Sequence, residues 1–172
     1  MSGLFGRGYP GGDTSKTVVY RAYSNTTTAI GTGDTVIPVF ETEDLSAGPL
    51  TGFTKISNTV VQSSGRAKNI TGVLNFNVVT TGSGVEFSTW IESSTDNVTW
   101  APVANSLRVN AIATDATVDV GGPLVGPIQA GAYIRVVAQR TGGTTCNIQQ
   151  STHTAATGNV SQPAVIIKMY GI

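Results

Sequence analysis

The sequence predicts an all-β fold, an antiparallel β-sandwich of the jelly-roll type with an extended N-terminal arm. Three observations lead to this prediction. Short runs with an apolar residue at every second position recur along the chain, clusters of Gly, Ser, Thr, Asn and Pro separate them, and no stretch carries the apolar stripe of an amphipathic helix. Many short strands at regular spacing are typical of sandwiches and barrels.

The chain divides into two parts. Residues 1–16 are rich in glycine and follow neither the period of a strand nor that of a helix, so we predict a flexible arm that orders only against a partner. Residues 17–172 alternate strand patterns with turn clusters throughout and form the predicted jelly-roll domain. A length of 172 residues suits one such domain with a core of ordinary size.

Two central segments show the strand pattern most clearly. In GVLNFNVV, the apolar Leu74, Phe76 and Val78 alternate with asparagines, as in a half-buried strand. In GVEFSTWIES the inner face is formed by Val85, Phe87, Thr89 and Ile91. The outer face is formed by Glu86, Ser88, Trp90 and Glu92. The following SSTDNVTW predicts a turn at Asp96-Asn97 and a second strand from Val98 to Val103.

Two later segments complete the pattern. In AYIRVVAQR the predicted inner face consists of Ala132, Ile134, Val136 and Ala138, and the outer face of Tyr133, Arg135, Val137 and Gln139. In AVIIKMYGI, which follows Pro163, the predicted core face consists of Val165, Ile167 and Met169, and the opposite face of Ile166, Lys168 and Tyr170. We therefore expect the last segment of the chain to be a strand inside the sandwich.

The composition excludes several classes of partner. Only 12% of residues are charged, and ten basic residues balance ten acidic ones, so no basic surface is expected for nucleic acid or for an anionic membrane. Glycines and Arg7 interrupt the first residues, which lack the apolar core of a signal peptide, and no window is long enough to span a bilayer. We expect synthesis in the cytoplasm, and we expect Cys146 to be a small buried or half-buried side chain and not a reactive thiol.

No catalytic residue, metal ligand or cofactor is predicted, and we do not expect an enzyme. The one histidine, His153, is accompanied by no nucleophile elbow. Some acids gather in two loops, but no calcium-binding loop occurs, and one Cys with one His cannot form a zinc site in a single chain. The acids, which we interpret as solvated, are Glu41, Glu43 and Asp44 in one loop and Asp115 and Asp119 in the other.

The order of these motifs resembles the C1q/TNF-like jelly roll, especially the versions carried by virion proteins of tailed bacteriophages. The resemblance rests on AIGTGDTVIPVFETEDLSAG, GVLNFNVV, GVEFSTWIESSTDNVTWAPV, GPIQAGAYIRVVAQRTGG and a closing C-terminal strand. It covers residues from about 20 to 172 and involves no catalytic signature. It implies a compact homotrimer whose subunits meet through outer strand faces, and the matching positions are Tyr133, Tyr170 and Trp90.

The resemblance further implies a structural virion protein. We expect a homotrimeric decoration protein that lies on the capsid surface, stabilises the head and is made in the host cytoplasm. Its partners would be further copies of itself and the major capsid protein. The arm would anchor it, and the side chains available for that contact are Leu4, Phe5, Arg7 and Tyr9.

Two alternatives share the same fold. The first is a tail or fibre tip module that recognises a glycan or protein of the bacterial surface, with Trp100 and the Asp96 turn as its candidate patch. The second is a secreted cytokine-like or complement-like ligand, which the lack of signal and stalk segments disfavours. Fold does not decide between these roles.

Overall fold

The computed structural model of the protein describes residues 18–33, 35–36, 40–45, 52–63, 68–155 and 158–171. These ranges are all-β, with no helix, and every strand pairing in them is antiparallel. The first eight strands are β1 (Val18–Ser24), β2 (Thr28–Ala29), β3 (Thr35–Val36), β4 (Thr42–Glu43), β5 (Phe53–Lys55), β6 (Val61–Ser63), β7 (Lys68–Thr81) and β8 (Val85–Ser94). The other eight are β9 (Ala101–Pro102), β10 (Arg108–Ile112), β11 (Thr117–Ile128), β12 (Tyr133–Thr141), β13 (Thr145–Ile148), β14 (Ser151–Ala155), β15 (Gly158–Gln162) and β16 (Val165–Gly171). The predicted arm, residues 1–16, lies outside the described ranges.

The strands form two sheets and a short ribbon. The first sheet has the order β2-β13-β7-β16-β1-β4, and β11 pairs with β7 along its length. The second sheet has the order β10-β8-β12-β6-β5, with β9 beside β8 and β3 beside β12. β14 and β15 pair only with each other among the described strands. The predicted antiparallel sandwich is thus confirmed.

The strand nearest the C-terminus occupies an interior position in the first sheet. β16 pairs with β1 on one side and with β7 on the other. Val165, Ile167 and Met169 are buried, whereas Lys168 is exposed, so the predicted core face of this strand is confirmed. The strand begins two residues after Pro163.

The core lies between the two sheets, and two aromatic pairs cross it. Phe76 of β7 meets Phe87 of β8 edge to face, with 5.6 Å between ring centroids. Tyr20 of β1 meets Phe53 of β5 at 6.4 Å in the same type of geometry. Such arrangements suit the ring quadrupoles and add to the burial of apolar area. The predicted inner faces of β8 and β12 are confirmed, since all eight of their members are buried.

Two local predictions need correction. The predicted strand from Val98 to Val103 is reduced to β9, because Asp96 gathers the next residues into a hydrogen-bonded turn before pairing with β8 resumes. Val137, expected on the exposed outer face, is fully buried there. It lies directly opposite Trp90 in the β8–β12 ladder, where a large side chain can cover a small neighbour. No helix in the described ranges is both long and apolar enough to cross a membrane.

Substitutions in β16 test its interior position. Ile167→Ala should lower the free energy of unfolding by about 2–5 kcal/mol, because it opens a cavity between the sheets. Lys168→Ala, the adjacent exposed position, should change it by no more than about 0.5 kcal/mol. Urea unfolding followed by circular dichroism measures both. Equal effects of the two substitutions would contradict the assigned faces.

Candidate interaction surface

The outer face of the second sheet carries a cluster of large polar and aromatic side chains. The register of β8 and β12 places Glu92 opposite Arg135 and Trp90 opposite Val137. Trp90 and Glu92 are two residues apart on one strand and therefore share a face. Directly opposite residues of antiparallel strands have neighbouring side chains, so strand register alone brings Trp90, Glu92 and Arg135 together.

These side chains form a closed network with Trp100. The Arg135 guanidinium donates to Glu92 Oε2 through Nε at 2.8 Å and lies 2.6 Å from the same oxygen through Nη2. Trp90 Nε1 donates to Glu92 Oε1 at 3.1 Å. The guanidinium also stacks on the Trp100 ring, with its central carbon 4.2 Å from the ring centroid. We call Trp90, Glu92, Trp100 and Arg135 the outer-face cluster.

The charged groups of the outer-face cluster have their partners within the cluster. The Arg135 and Glu92 side chains are only 23% and 13% exposed, so the solvent screens this ion pair less than a surface pair. Glu92 uses both oxygens, and the face of the guanidinium is covered by an aromatic ring. Both charged side chains therefore have partners within the cluster.

A hydrogen-bonded turn precedes Trp100. Asp96 Oδ1 accepts from the backbone N–H groups of Val98 at 2.8 Å and Thr99 at 2.7 Å, and from Ser94 Oγ at 2.8 Å. Asn97 adopts a positive φ of 60°, which Asn tolerates better than most residues. The backbone donors at Thr99 and Val98, together with the Ser94 hydroxyl, hold the pKa of Asp96 below its usual range. The Asp96 carboxylate therefore organises the turn.

An apolar groove lies beside the cluster. We call it the Trp90 groove, and its lining consists of Trp90, Pro102, Val103, Asn105, Ser106 and Leu107. Its wall is tied to β8 by the buried Ser106, whose Oγ accepts from Ile91 N at 3.1 Å and donates to the Val103 carbonyl at 2.7 Å. Val103 N also donates to the Ile91 carbonyl at 2.8 Å. Hydrogen bonds to the backbone of Ile91 thus hold the wall of the groove against β8.

The structure separates the residues predicted for the trimer contact. Tyr133 and Trp90 share the outer face of the second sheet, but the register puts them four positions apart, about 13 Å along the strand direction. Tyr170 lies in β16 of the first sheet, paired with Val18 and Thr71. One flat contact cannot hold all three. Their role in a trimer stays a prediction, and the arm residues Leu4, Phe5, Arg7 and Tyr9 lie outside the described ranges.

Three of the five acids considered as catalytic candidates have structural partners. Glu41 Oε2 accepts from Ser24 Oγ at 3.1 Å. An Asp44 oxygen lies 3.8 Å from Arg21 Nη1, and Asp115 Oδ1 accepts from the backbone of Gly82 at 2.9 Å. Within the described ranges, no three His, Cys, Asp or Glu residues gather as metal ligands. The side chains of His153 and Asp119 are not described, and the expected lack of catalysis stays a prediction.

The predicted burial of the cysteine is confirmed. Cys146 is buried in the core, with 1% of its surface exposed. Burial raises the pKa of its thiol, against a smaller opposite effect from the charge of Arg140. Because the thiolate is the reactive form, burial and a raised pKa both disfavour reaction at this position.

Sequence reasoning placed Trp90, Glu92 and Arg135 on outer faces but missed that they form one cluster with Trp100. The W-x-E spacing on β8 was a usable signal, because residues two apart on a strand lie side by side. The partner position of Arg135 depends on register, and the stacking of Trp100 depends on the turn before it. Neither is visible in the alternation of a single strand.

Comparisons with known proteins bear on the fold. No family model matches the chain, and no curated protein matches it. A similar solved structure is that of Eiger TNF from S. frugiperda, with a TM-score of 0.60 over 90% of this chain and 92% of that chain. The chain adopts a TNF-like jelly roll. The sequence identity is 11%, so this likeness shows the fold alone. The predicted jelly roll is confirmed, and the phage assignment stays a prediction.

The Glu92–Arg135 contact can be tested by removing one partner. Glu92→Ala should lower the free energy of unfolding by about 1–3 kcal/mol, because the Arg135 guanidinium loses its acceptor in a partly buried site. Near-ultraviolet circular dichroism should change as well, since both tryptophans contact this network. Glu86→Ala, at an exposed position of the same strand, serves as the control and should stay within about 0.5 kcal/mol. Unchanged urea unfolding of Glu92→Ala would rule out a stabilising role for the cluster.

The Asp96 turn should respond to acid. The pKa of Asp96 is lower in the folded protein than the value of about 3.9 for an unfolded chain, so its carboxylate stabilises the turn above that pH. This contribution is lost as the pH falls below about 4 towards the folded-state pKa. Amide hydrogen exchange measured as protection factors should show Val98 and Thr99 losing protection in that window. In Asp96→Ala they should be unprotected at every pH, and Asp115→Ala should leave them unchanged. Equal protection of the Val98 and Thr99 amides above and below this pH range would show that the Asp96 carboxylate does not hold the turn.

Proposed function

We propose that this protein is a structural protein of a bacteriophage particle, a homotrimeric decoration protein that stabilises the capsid and catalyses no reaction. The main support is the outer face of the second sheet. The charges of Glu92 and Arg135 pair with each other there, and an apolar groove lies beside them. A surface of this kind suits adhesion, because a catalytic site needs titratable groups that remain available to a substrate.

Exposed apolar residues on the same face support contact with other subunits. Leu107 is 56% and Val109 is 53% exposed. Val109 pairs with Ser88, which shares the outer face with Trp90. Contiguous exposed apolar residues are typical of interaction sites, and tryptophan and arginine are enriched where binding energy concentrates. Trp90 and Tyr133 are our candidates for the trimer contact on this face.

The proposed mechanism is mechanical. The jelly roll would project from the capsid, while residues 1–16 would lie along neighbouring capsid subunits, with Leu4, Phe5, Arg7 and Tyr9 in contact. An arm that orders on binding loses conformational entropy. Three arms on one trimer offset that loss, since binding of the first raises the effective concentration of the others. Apolar area buried between subunits would then increase the work needed to burst the shell.

A receptor-binding module of a tail or fibre tip is the second candidate. It is favoured by the Ser94–Thr99 turn, which presents Val98 with 79% of its surface exposed next to the stacked Trp100. A rigid turn beside an aromatic ring is a suitable recognition element. The Asp96 carboxylate contributes less to this candidate than the sequence suggested, because its Oδ1 already accepts three hydrogen bonds.

Deletion of residues 1–16 tests the proposed anchor. The shortened protein should remain folded and trimeric by light scattering, and it should no longer co-sediment with capsids that lack the decoration protein. The full chain serves as the control for binding. Retention of capsid binding by the shortened protein would remove the arm from the mechanism. A stable monomer at micromolar concentration would contradict the trimer.

The copy number separates the two candidates. Quantitative analysis of purified particles should find hundreds of copies for a decoration protein, because it would occupy sites throughout the capsid lattice. About a dozen copies would instead identify a tail or fibre component. Detection of the protein in particles is itself the first requirement, and its absence from them would overturn both candidates.

A further inference from the structure

The Trp90 groove is open and uncovered in the described part of the chain. Leu107 forms one side, and the exposed Val109 continues the apolar surface along β10. β10 is an edge strand of the second sheet, so the groove lies at the margin of the sandwich. An apolar surface in this position is stabilised when another apolar group covers it.

The groove is preorganised for a ligand. Trp90 is held through its indole N–H by Glu92, and Glu92 is held by Arg135. Ser106 ties the opposite wall to the backbone of Ile91. Side chains that are fixed beforehand lose little freedom when a ligand binds, which raises affinity for a given contact area.

The chemistry of the lining favours an apolar side chain as the ligand. The Trp90 N–H is used by Glu92, and the Ser106 hydroxyl is used by backbone groups of β8 and of the turn. Asn105 is the remaining polar side chain of the lining. A sugar would lose hydrogen bonds to water that this groove replaces poorly, whereas a leucine or phenylalanine side chain loses none.

We propose that the Trp90 groove binds the N-terminal segment of the same chain, with Leu4 and Phe5 filling it. Residues 1–17 precede the described structure, and Leu4-Phe5 is the pair of adjacent large apolar residues within them. This inference goes beyond the proposed function, because it concerns the free protein before it meets a particle. It does not depend on the capsid. A segment in the groove and a trimer contact at Trp90 exclude each other, so under this proposal Tyr133 is the remaining candidate for the trimer contact on this face.

The place where the described chain begins supports this occupant. Val18 lies in one transverse row of the first sheet with Tyr170, Thr71 and Val125, so it is three strand spacings, about 14 Å, from Val125. The next residue, Gly126, packs so tightly against Val103 that a side chain would not fit. Val103 lines the groove. Val18, the first described residue, therefore lies at the same end of the sandwich as the groove.

The segment is long enough to reach the groove. Thirteen residue steps separate Phe5 from Val18, and an extended chain of that length spans about 43 Å. The path around the end of the sandwich is shorter, because it crosses about three strand spacings and one intersheet distance of about 10 Å. The short connecting chain also gives Leu4 and Phe5 an effective concentration of about millimolar at the groove, so a weak contact is enough to keep them bound.

Docking would have a consequence for assembly. Leu4 and Phe5 would be covered in the free protein and would have to leave the groove before they could contact a capsid subunit. The apparent affinity for the capsid is then the intrinsic affinity multiplied by the fraction of molecules in which the segment is released. Trp90 would contact residues of its own chain in this state.

Tryptophan fluorescence provides a specific test, because the chain contains two tryptophans and both belong to the outer-face cluster. In a Trp100→Phe background, Trp90 is the single reporter. Leu4→Ser with Phe5→Ser should shift its emission to longer wavelength and increase its quenching by acrylamide. Leu107→Ser should do the same. Leu45→Ser, at a similarly exposed leucine outside the groove, is the matched control and should change neither.

Combining the segment substitutions with Leu107→Ser shows whether the N-terminal segment and the groove are coupled. If the segment occupies the groove, the Leu107→Ser change should add little once Leu4 and Phe5 have been replaced. A synthetic peptide of residues 1–12 should restore the emission of the Leu4→Ser/Phe5→Ser protein. The same peptide with Leu4→Ser should bind at least about tenfold more weakly, as expected for the loss of one buried leucine.

Other outcomes overturn the proposal. Unchanged Trp90 emission in the segment variant would show that the segment does not cover the groove. Fully additive effects of the segment and Leu107 substitutions would show that it docks elsewhere. If the protection of Trp90 from acrylamide disappeared on dilution of the protein, the groove would be occupied by a neighbouring copy of the chain. A response to maltohexaose or chitotetraose without a response to the segment substitutions would assign it to a glycan.

Discussion

β16 lies between β1 and β7, and this pairing joins the two ends of the described chain in one sheet. Backbone groups inside a sandwich must find partners, because each buried N–H or C=O left alone costs free energy. β16 supplies them on both sides, and its inner residues Val165, Ile167 and Met169 fill the space above the second sheet. Among the described strands, β1 and β4 join the first sheet through this strand alone.

The positions of the side chains on the outer face of the second sheet are fixed by the packing of its inner face. β8 and β12 each bury four residues of the opposite face in the core, so their register cannot slip by one residue without exposing that whole set. The same register aligns Glu92 with Arg135 and Trp90 with Val137. The outer-face cluster and the Trp90 groove are consequently fixed by core packing. A surface of this kind can bind a segment or another subunit without first being ordered.

Much of the fold could be predicted from the sequence because its strands are short and strictly alternating. The inner faces of β8, β12 and β16 were predicted correctly from the period of 2. The strand expected from Val98 to Val103 was too long, since a side-chain carboxylate captured backbone donors that a ladder would have used. Val137 was placed in solvent because alternation along one strand says nothing about the size of the residue across the ladder.

The candidate site was predictable only in part. Trp90 was correctly placed on the outer face, and Trp100 was noted beside the Asp96 turn. Their connection through Glu92 and Arg135 depends on the pairing of two strands more than forty residues apart, which no local pattern reports. The Trp90 groove likewise requires the 102–107 turn to fold back onto β8.

By itself, the sequence determined the core-facing residues of β8, β12 and β16, because hydrophobic burial follows the alternation of a strand and that alternation is present in the local sequence. It also determined the all-β class and the low content of charged residues. Only the tertiary structure decided which strands are neighbours, and therefore which outward side chains meet. Cross-strand contacts are set by register between distant segments, and register follows from packing the whole sandwich at once.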